Sequence, residues 1–116
     1  MKHPLAHGID LFNRQQFFEC HEALEEIWTP ERGPRRLFLQ SLIHIAVAFY
    51  QVQRGNLIGA ERQLQKGLRK MEAYLPECEG IDTGALYRAA AEALERVRRG
   101  EEMGEFPGIK LPQQRP

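Results

Sequence analysis

LFLQSLIHIAVAFYQVQRGN, Leu37 to Asn56, carries two apolar stripes at helical spacing. Phe38, Leu42, Ile45 and Phe49 form one, and Leu39, Ile43, Ala46 and Tyr50 form the other beside it. A helix apolar over most of its circumference belongs inside a helical assembly, so this segment, about Pro34 to Arg54, is expected to be central. Gly55-Asn56 supplies a left-handed C-cap and an N-cap back to back, which folds the next helix tightly against this one.

Outward from that centre the chain divides at its punctuation residues. Upstream, Asn13 and Gln16 fit a capping box, which predicts a first helix from about Arg14 to Trp28, stopped by Thr29-Pro30. Ile9 and Phe12 fall in a short lead-in turn beneath it. Downstream, a third helix runs from about Leu57 to Leu75, with Leu57, Ala60, Leu64, Leu68, Met71 and Leu75 on one face. Asp82 and Thr83 then cap a fourth, in which Leu86, Ala90, Ala93, Leu94 and Val97 face inward. Arg98-Arg99-Gly100 closes that helix with positive charge at the negative end of its dipole. No segment shows sustained alternation with β-branched residues, so strands are not expected.

The expected fold is therefore all-α, a compact antiparallel four-helix arrangement with a short N-terminal turn and an irregular C-terminal tail. It is read as a single helical domain over 1–116, with its core at about 8–100. The tail, 101–116, is rich in Pro and Gly, and Phe106, Ile109 and Leu111 should drape it over the bundle before it frays. RGNLIGAERQLQKGL has the look of a tetratricopeptide hairpin, but Ala90, 34 residues beyond Asn56, lies inside the fourth helix and the repeat fails.

Bulk composition excludes several classes. Sixteen basic residues balance sixteen acidic ones, which argues against nucleic-acid and anionic-membrane partners. The N-terminus lacks the apolar core of a signal peptide, and no apolar run approaches the roughly 20 residues of a membrane span. Cys20 and Cys78 read as reduced thiols of a cytoplasmic protein. The apolar helical surface exceeds what four helices of this length readily bury, so a homodimer through the third and fourth helices is expected.

Chemistry concentrates on FFECHEALEEIW, Phe17 to Trp28. Phe17, His21, Leu24 and Trp28 share one stripe by their 4-3-4 spacing, and Glu25 lies one turn beyond His21. If this helix packs on the central one, His21, Glu22, Glu25, Gln40 and His44 meet in one polar cluster. Two readings of it stand. In the favoured one it is a hydrogen-bond network that fixes helix packing or binds a protein or small-molecule partner, with Trp28 also lining the site. In the alternative, His21, Glu22, Glu25 and His44 hold a divalent metal in a hydrolase-like enzyme, with Glu22 and Glu25 as catalytic candidates. The spacing matches neither H-E-x-x-H nor the Glu-x-x-His of di-iron bundles, so no cofactor is favoured. His3 and His7 read as incidental, and Arg32, Arg35, Arg36, Arg96, Arg98 and Arg99 as solvated helix ends.

The stretches FNRQQFFECHEALEEIW and LFLQSLIHIAVAFYQVQRGNLIGA resemble the bacterial and archaeal family known as domain of unknown function 309. Its members share an F-N-x-G-x-F/Y-F/Y-E-x-H-E-x-L-E-x-x-W helix, an L-Q-G-L-I-Q helix and a G-N-x-x-G-A turn. The pattern lands on Phe12, Asn13, Phe17, Phe18, Glu19, His21, Glu22, Leu24, Glu25 and Trp28, then on Gln40, Leu42, Ile43, Gly55, Asn56, Gly59 and Ala60. Gln15 and Ser41 stand where the family carries Gly. The resemblance covers about Gly8 to Leu68 and implies a compact all-helical fold, with no activity attached to it.

Overall fold

A computed structural model describes residues 3–111. Five α-helices follow in order: α1 (Ala6–Asn13), α2 (Phe17–Trp28), α3 (Arg36–Gln53), α4 (Leu57–Met71) and α5 (Thr83–Arg99), with a 3₁₀ turn at Glu72–Tyr74 after α4. Among the described residues there is no strand, only one isolated bridge between Cys78 and Ile81. The expected lead-in turn is a full helix, α1, and the reason is local. Leu5, Ile9 and Phe12 fall at helical spacing and are all buried, so the segment gains a packed face by coiling.

The capping box does not form. α2 starts at Phe17, with Gln16 at its N-cap and no side-chain cap. Asn13 ends α1 instead, and its side chain grips the C-terminal tail: Nδ2 donates to the Ile109 carbonyl at 2.8 Å and Oδ1 accepts from the Ile109 amide at 2.7 Å. Between the two helices Gln15 adopts φ 62°, a left-handed conformation that costs a residue with a Cβ roughly 1–2 kcal/mol. A glycine would take the same conformation without that cost.

Neighbouring helices in the chain are neighbours in space. α3 packs on α2 and α4, α4 on α5, and α1 on α2. Phe38, Leu39, Ile45, Ala46, Ala48 and Phe49 of α3 have no exposed surface, so the central helix is as expected. Gly55 takes φ 78° and Asn56 Oδ1 accepts from the Gly59 amide at 3.0 Å. Arg54 to Asn56 is all that separates α3 from α4, and the two run antiparallel. α5 begins with Asp82 Oδ1 accepting from the Ala85 amide at 2.8 Å and ends on Gly100 at φ 68°. No helix of the described residues is long and apolar enough to cross a membrane.

The tail joins the last helix to the first two. Phe106 sets its ring 5.0 Å from Phe17 and 5.3 Å from Phe49, and Ile109 is buried beside Asn13. The fraying expected of its end concerns 112–116, outside the described residues. Asn13→Ala removes two hydrogen bonds worth about 1 kcal/mol each. The expected result is rapid protease cleavage within 101–111 while α1 to α5 stay folded; cleavage as slow as in the parent would show that Phe106 alone holds the tail.

Two other groups contribute more than the sequence implied. His3 is not incidental, since its Nδ1 accepts from the Leu5 amide at 3.0 Å and its Nε2 donates to the Glu79 carbonyl. Arg35 is not a solvated helix end either: it holds Glu79 through two bonds, at 2.9 and 2.7 Å. Glu79 itself has φ 51°, so the ion pair anchors a residue in a strained turn.

Candidate functional site: the α2–α3 groove

The structure brings together only part of the expected polar cluster. His21 Nε2 lies 3.0 Å from Glu25 Oε1, and both are on α2. Their side chains are 23% and 47% exposed, so the pair sits at the rim of the helix interface, not within it. Glu22 is exposed and Gln40 half-buried, and neither bonds to His21 or His44 among the described residues. Trp28 lies at the far end of α2. The Arg36 guanidinium stacks 4.0 Å over its ring and donates to the carbonyls of Trp28 at 2.9 Å and Glu31 at 2.7 Å, tying the end of α2 to the start of α3.

His44 belongs to a different interface. α4 approaches α3 where Gly67 meets Ser41, His44 and Ile45, and His44 finds its partners there. Its Nδ1 is 2.7 Å from Gln63 Oε1 and its Nε2 is 2.8 Å from Lys70 Nζ. The amide oxygen only accepts and the ammonium only donates, so the imidazole carries its proton on Nδ1. His44 therefore does not complete a set with His21, Glu22 and Glu25, and among the described residues no three His, Cys, Asp or Glu side chains group as metal ligands. The four-residue metal site is not assembled, because α4 takes the histidine that α2 was expected to take.

Gln63 and Lys70 were not found from the sequence, although a signal exists. Gln63, Gly67 and Lys70 follow i, i+4, i+7 spacing along α4, a narrow polar stripe interrupted by the one residue that permits close approach.

Burial pushes the His44 imidazole below its ordinary value, the Gln63 bond opposes this, and the charges of Lys70 and Lys66 add to the lowering. The unfolded chain therefore takes up the proton first, near 6.5, and below that pH it binds more protons than the folded chain. Stability is present in full above that value and is lost as pH falls through the lower folded value. In chemical denaturation the parent is expected to weaken from pH 7 to 5 more than His44→Gln; identical slopes would remove His44 from the account. Cys20 behaves as a buried apolar group, its thiol pushed up to about 12 by burial, Cys78 is half-buried, and neither is in a disulfide.

What α2 and α3 do build together is an aromatic groove. Phe18, 43% exposed, packs its ring 5.3 Å from Tyr50 and 5.7 Å from His21. Arg54 flanks Tyr50, donating to its hydroxyl at 3.1 Å. Phe17, Phe18, His21, Val47, Tyr50 and Gln51 line an opening of about 180 Å³. Substrate and cofactor cavities run to roughly 300–1,000 Å³, so this opening suits one side chain and not a whole small molecule.

The profile of the family described as domain of unknown function (DUF309) matches residues 5–63, a span that contains α1, α2, α3 and the start of α4. This chain belongs to the DUF309 family. It is similar to a protein of Bacillus subtilis (strain 168) titled uncharacterized protein YpuF, with 30% identity over 107 residues. That alignment takes in 90% of this chain and 60% of the relative, so the chain spans about 60% of the relative's length. Within the DUF309 match lie His21, Glu25, Phe18 and Tyr50, together with Gly55 and Asn56, which form the turn between α3 and α4.

Proposed function

We propose that this DUF309 protein is an interaction module whose α2–α3 groove takes an aromatic or branched apolar side chain from a partner protein. The observation that carries the reading is Phe18, a large apolar ring left 43% exposed on Tyr50 beside an opening of side-chain size. Exposed aromatics next to a pocket are the usual anchors of protein–protein contact. The His21–Glu25 pair at the rim supplies a hydrogen-bonding edge for the backbone that carries the inserted side chain. A photo-crosslinking amino acid at position 18, in the full chain expressed in its native host, is expected to give one discrete protein adduct. The adduct should disappear with Tyr50→Ala and be absent when the crosslinker sits at exposed Glu95. Equal adducts at both positions, or none at position 18, would sink the proposal.

Self-association is a second part of this reading. The Leu/Ala faces of α4 and α5 are spent inside one chain, with Leu64, Leu68, Met71, Leu86, Ala90 and Leu94 all buried. The apolar surface that supports a homodimer is instead Ile58, 71% exposed, and Leu57 beside it. Light scattering is expected to give a dimer mass that Ile58→Glu halves. The unpaired thiols support a cytoplasmic setting.

A further inference from the structure

We propose that Lys70 is a nucleophilic amine that forms an imine with an anionic aldehyde or ketone, with His44 as its base and Gln63 holding the base in place. This site is independent of the α2–α3 groove and lies between α3 and α4. The three groups stand in the order that an activated nucleophile requires, since Lys70 Nζ is 2.8 Å from His44 Nε2 and His44 Nδ1 is 2.7 Å from Gln63 Oε1. Both distances are within proton-transfer reach, and the Gln63 contact fixes the tautomer that leaves Nε2 free to accept. Gly67, one turn before Lys70, lets α4 come close enough to α3 for the pair to form.

Three further features fit an amine at work and not a solvated lysine. Among the described residues no carboxylate forms an ion pair with Lys70, whereas nine other ion pairs are made elsewhere. Burial holds Lys70 below its ordinary value, and the charges of Lys66 and Arg69 add to this, which raises the fraction of neutral amine at neutral pH. Those same two cations give the approach to Lys70 a positive field, and that selects a carbonyl compound bearing phosphate or carboxylate.

The step balances without a redox partner. The neutral amine of Lys70 attacks the carbonyl carbon, a C–N bond forms as the C=O π bond opens, and His44 Nε2 carries the first amine proton to the oxygen, which becomes a hydroxyl. His44 then takes the second proton from the nitrogen and gives it to the departing hydroxyl as the C–O bond breaks. Water leaves and the C=N bond closes, so carbonyl plus amine give imine plus water.

The chain has four lysines, Lys2, Lys66, Lys70 and Lys110, which makes the test direct. Full-length protein is treated with pyridoxal phosphate at neutral pH, reduced with borohydride and mapped by peptide mass. Lys70 is expected to be modified about 100-fold faster than the other three, the low end of the advantage that a positioned base gives. His44→Gln is expected to slow Lys70 modification about 100-fold, the low end of what a positioned base contributes, with the modification of Lys66 unchanged. Gln63→Leu, which keeps both reacting groups, should slow it in the same direction and decides the matter if His44→Gln does not fold. Unphosphorylated pyridoxal should react more slowly at Lys70. Equal modification of all four lysines, a Lys70 rate indifferent to both substitutions, or no preference for the phosphate would overturn the assignment.

Discussion

Phe49→Ala is expected to lower the free energy of unfolding by about 3–5 kcal/mol, the range for deleting a buried aromatic side chain. Phe49 is fully buried and is a ring on which three others converge, with Phe12 at 5.9 Å, Phe17 at 5.4 Å and Phe106 at 5.3 Å. Those rings come from α1, α2 and the tail, so one substitution on α3 removes a partner from each of them. Such pairs add about 0.5–1.5 kcal/mol apiece beyond their buried area. The loss is a large part of the 5–15 kcal/mol that holds a typical domain. Denaturant titration checks the magnitude, and near-UV circular dichroism should lose intensity as Phe106 and the tail detach. Phe18→Ala, at the exposed groove, is the control, with an expected cost under about 1 kcal/mol. Comparable losses from the two substitutions would refute the role of Phe49 as a hub.

Gly67→Leu is the second large effect. A Cβ added at Gly67 would lie 2.9 Å from Ile45 Cγ1, 3.2 Å from His44 Cβ and 3.2 Å from the Ser41 carbonyl oxygen. Ile45 is fully buried and a backbone oxygen does not move aside, so a longer side chain fits only by pushing α4 off α3. The expected cost is about 3 kcal/mol, at the upper end for overpacking. Gly67→Ala should cost much less, because the gain in helix propensity of about 1 kcal/mol offsets part of the clash. The separation should also break the His44–Lys70 contact, so the acid-side loss of stability disappears in Gly67→Leu. Denaturation at pH 7 and pH 5 reads both effects. A variant as stable as the parent would show that the helices do not meet at Gly67.

The same contact has a small residue on its α3 side as well. Ser41 is fully buried opposite Gly67, and its hydroxyl donates to the Phe38 carbonyl at 2.6 Å. Two small residues therefore face each other across the interface, and the serine hydroxyl is satisfied within its own helix.

Short-range physics made the helices legible. The two stripes of α3, the Gly55-Asn56 reversal, the Asp82 cap and the Gly100 stop each depend on residues within a turn or two of one another, so sequence spacing determined them. α1 was under-read because only eight residues carry it, and its stability comes from burying Leu5, Ile9 and Phe12, not from a cap. The partners of the polar side chains were decided by tertiary structure. Asn13 has the chemistry of a helix cap and is used by Ile109, a residue 96 positions away. His44 was expected to face α2, and instead it meets Gln63 and Lys70 of α4 beside Gly67, the residue that lets α4 pack close there. A backbone cap is chosen by local geometry, but a long-range hydrogen bond is chosen by which helix packs nearest, and packing distance is a property of the folded pair.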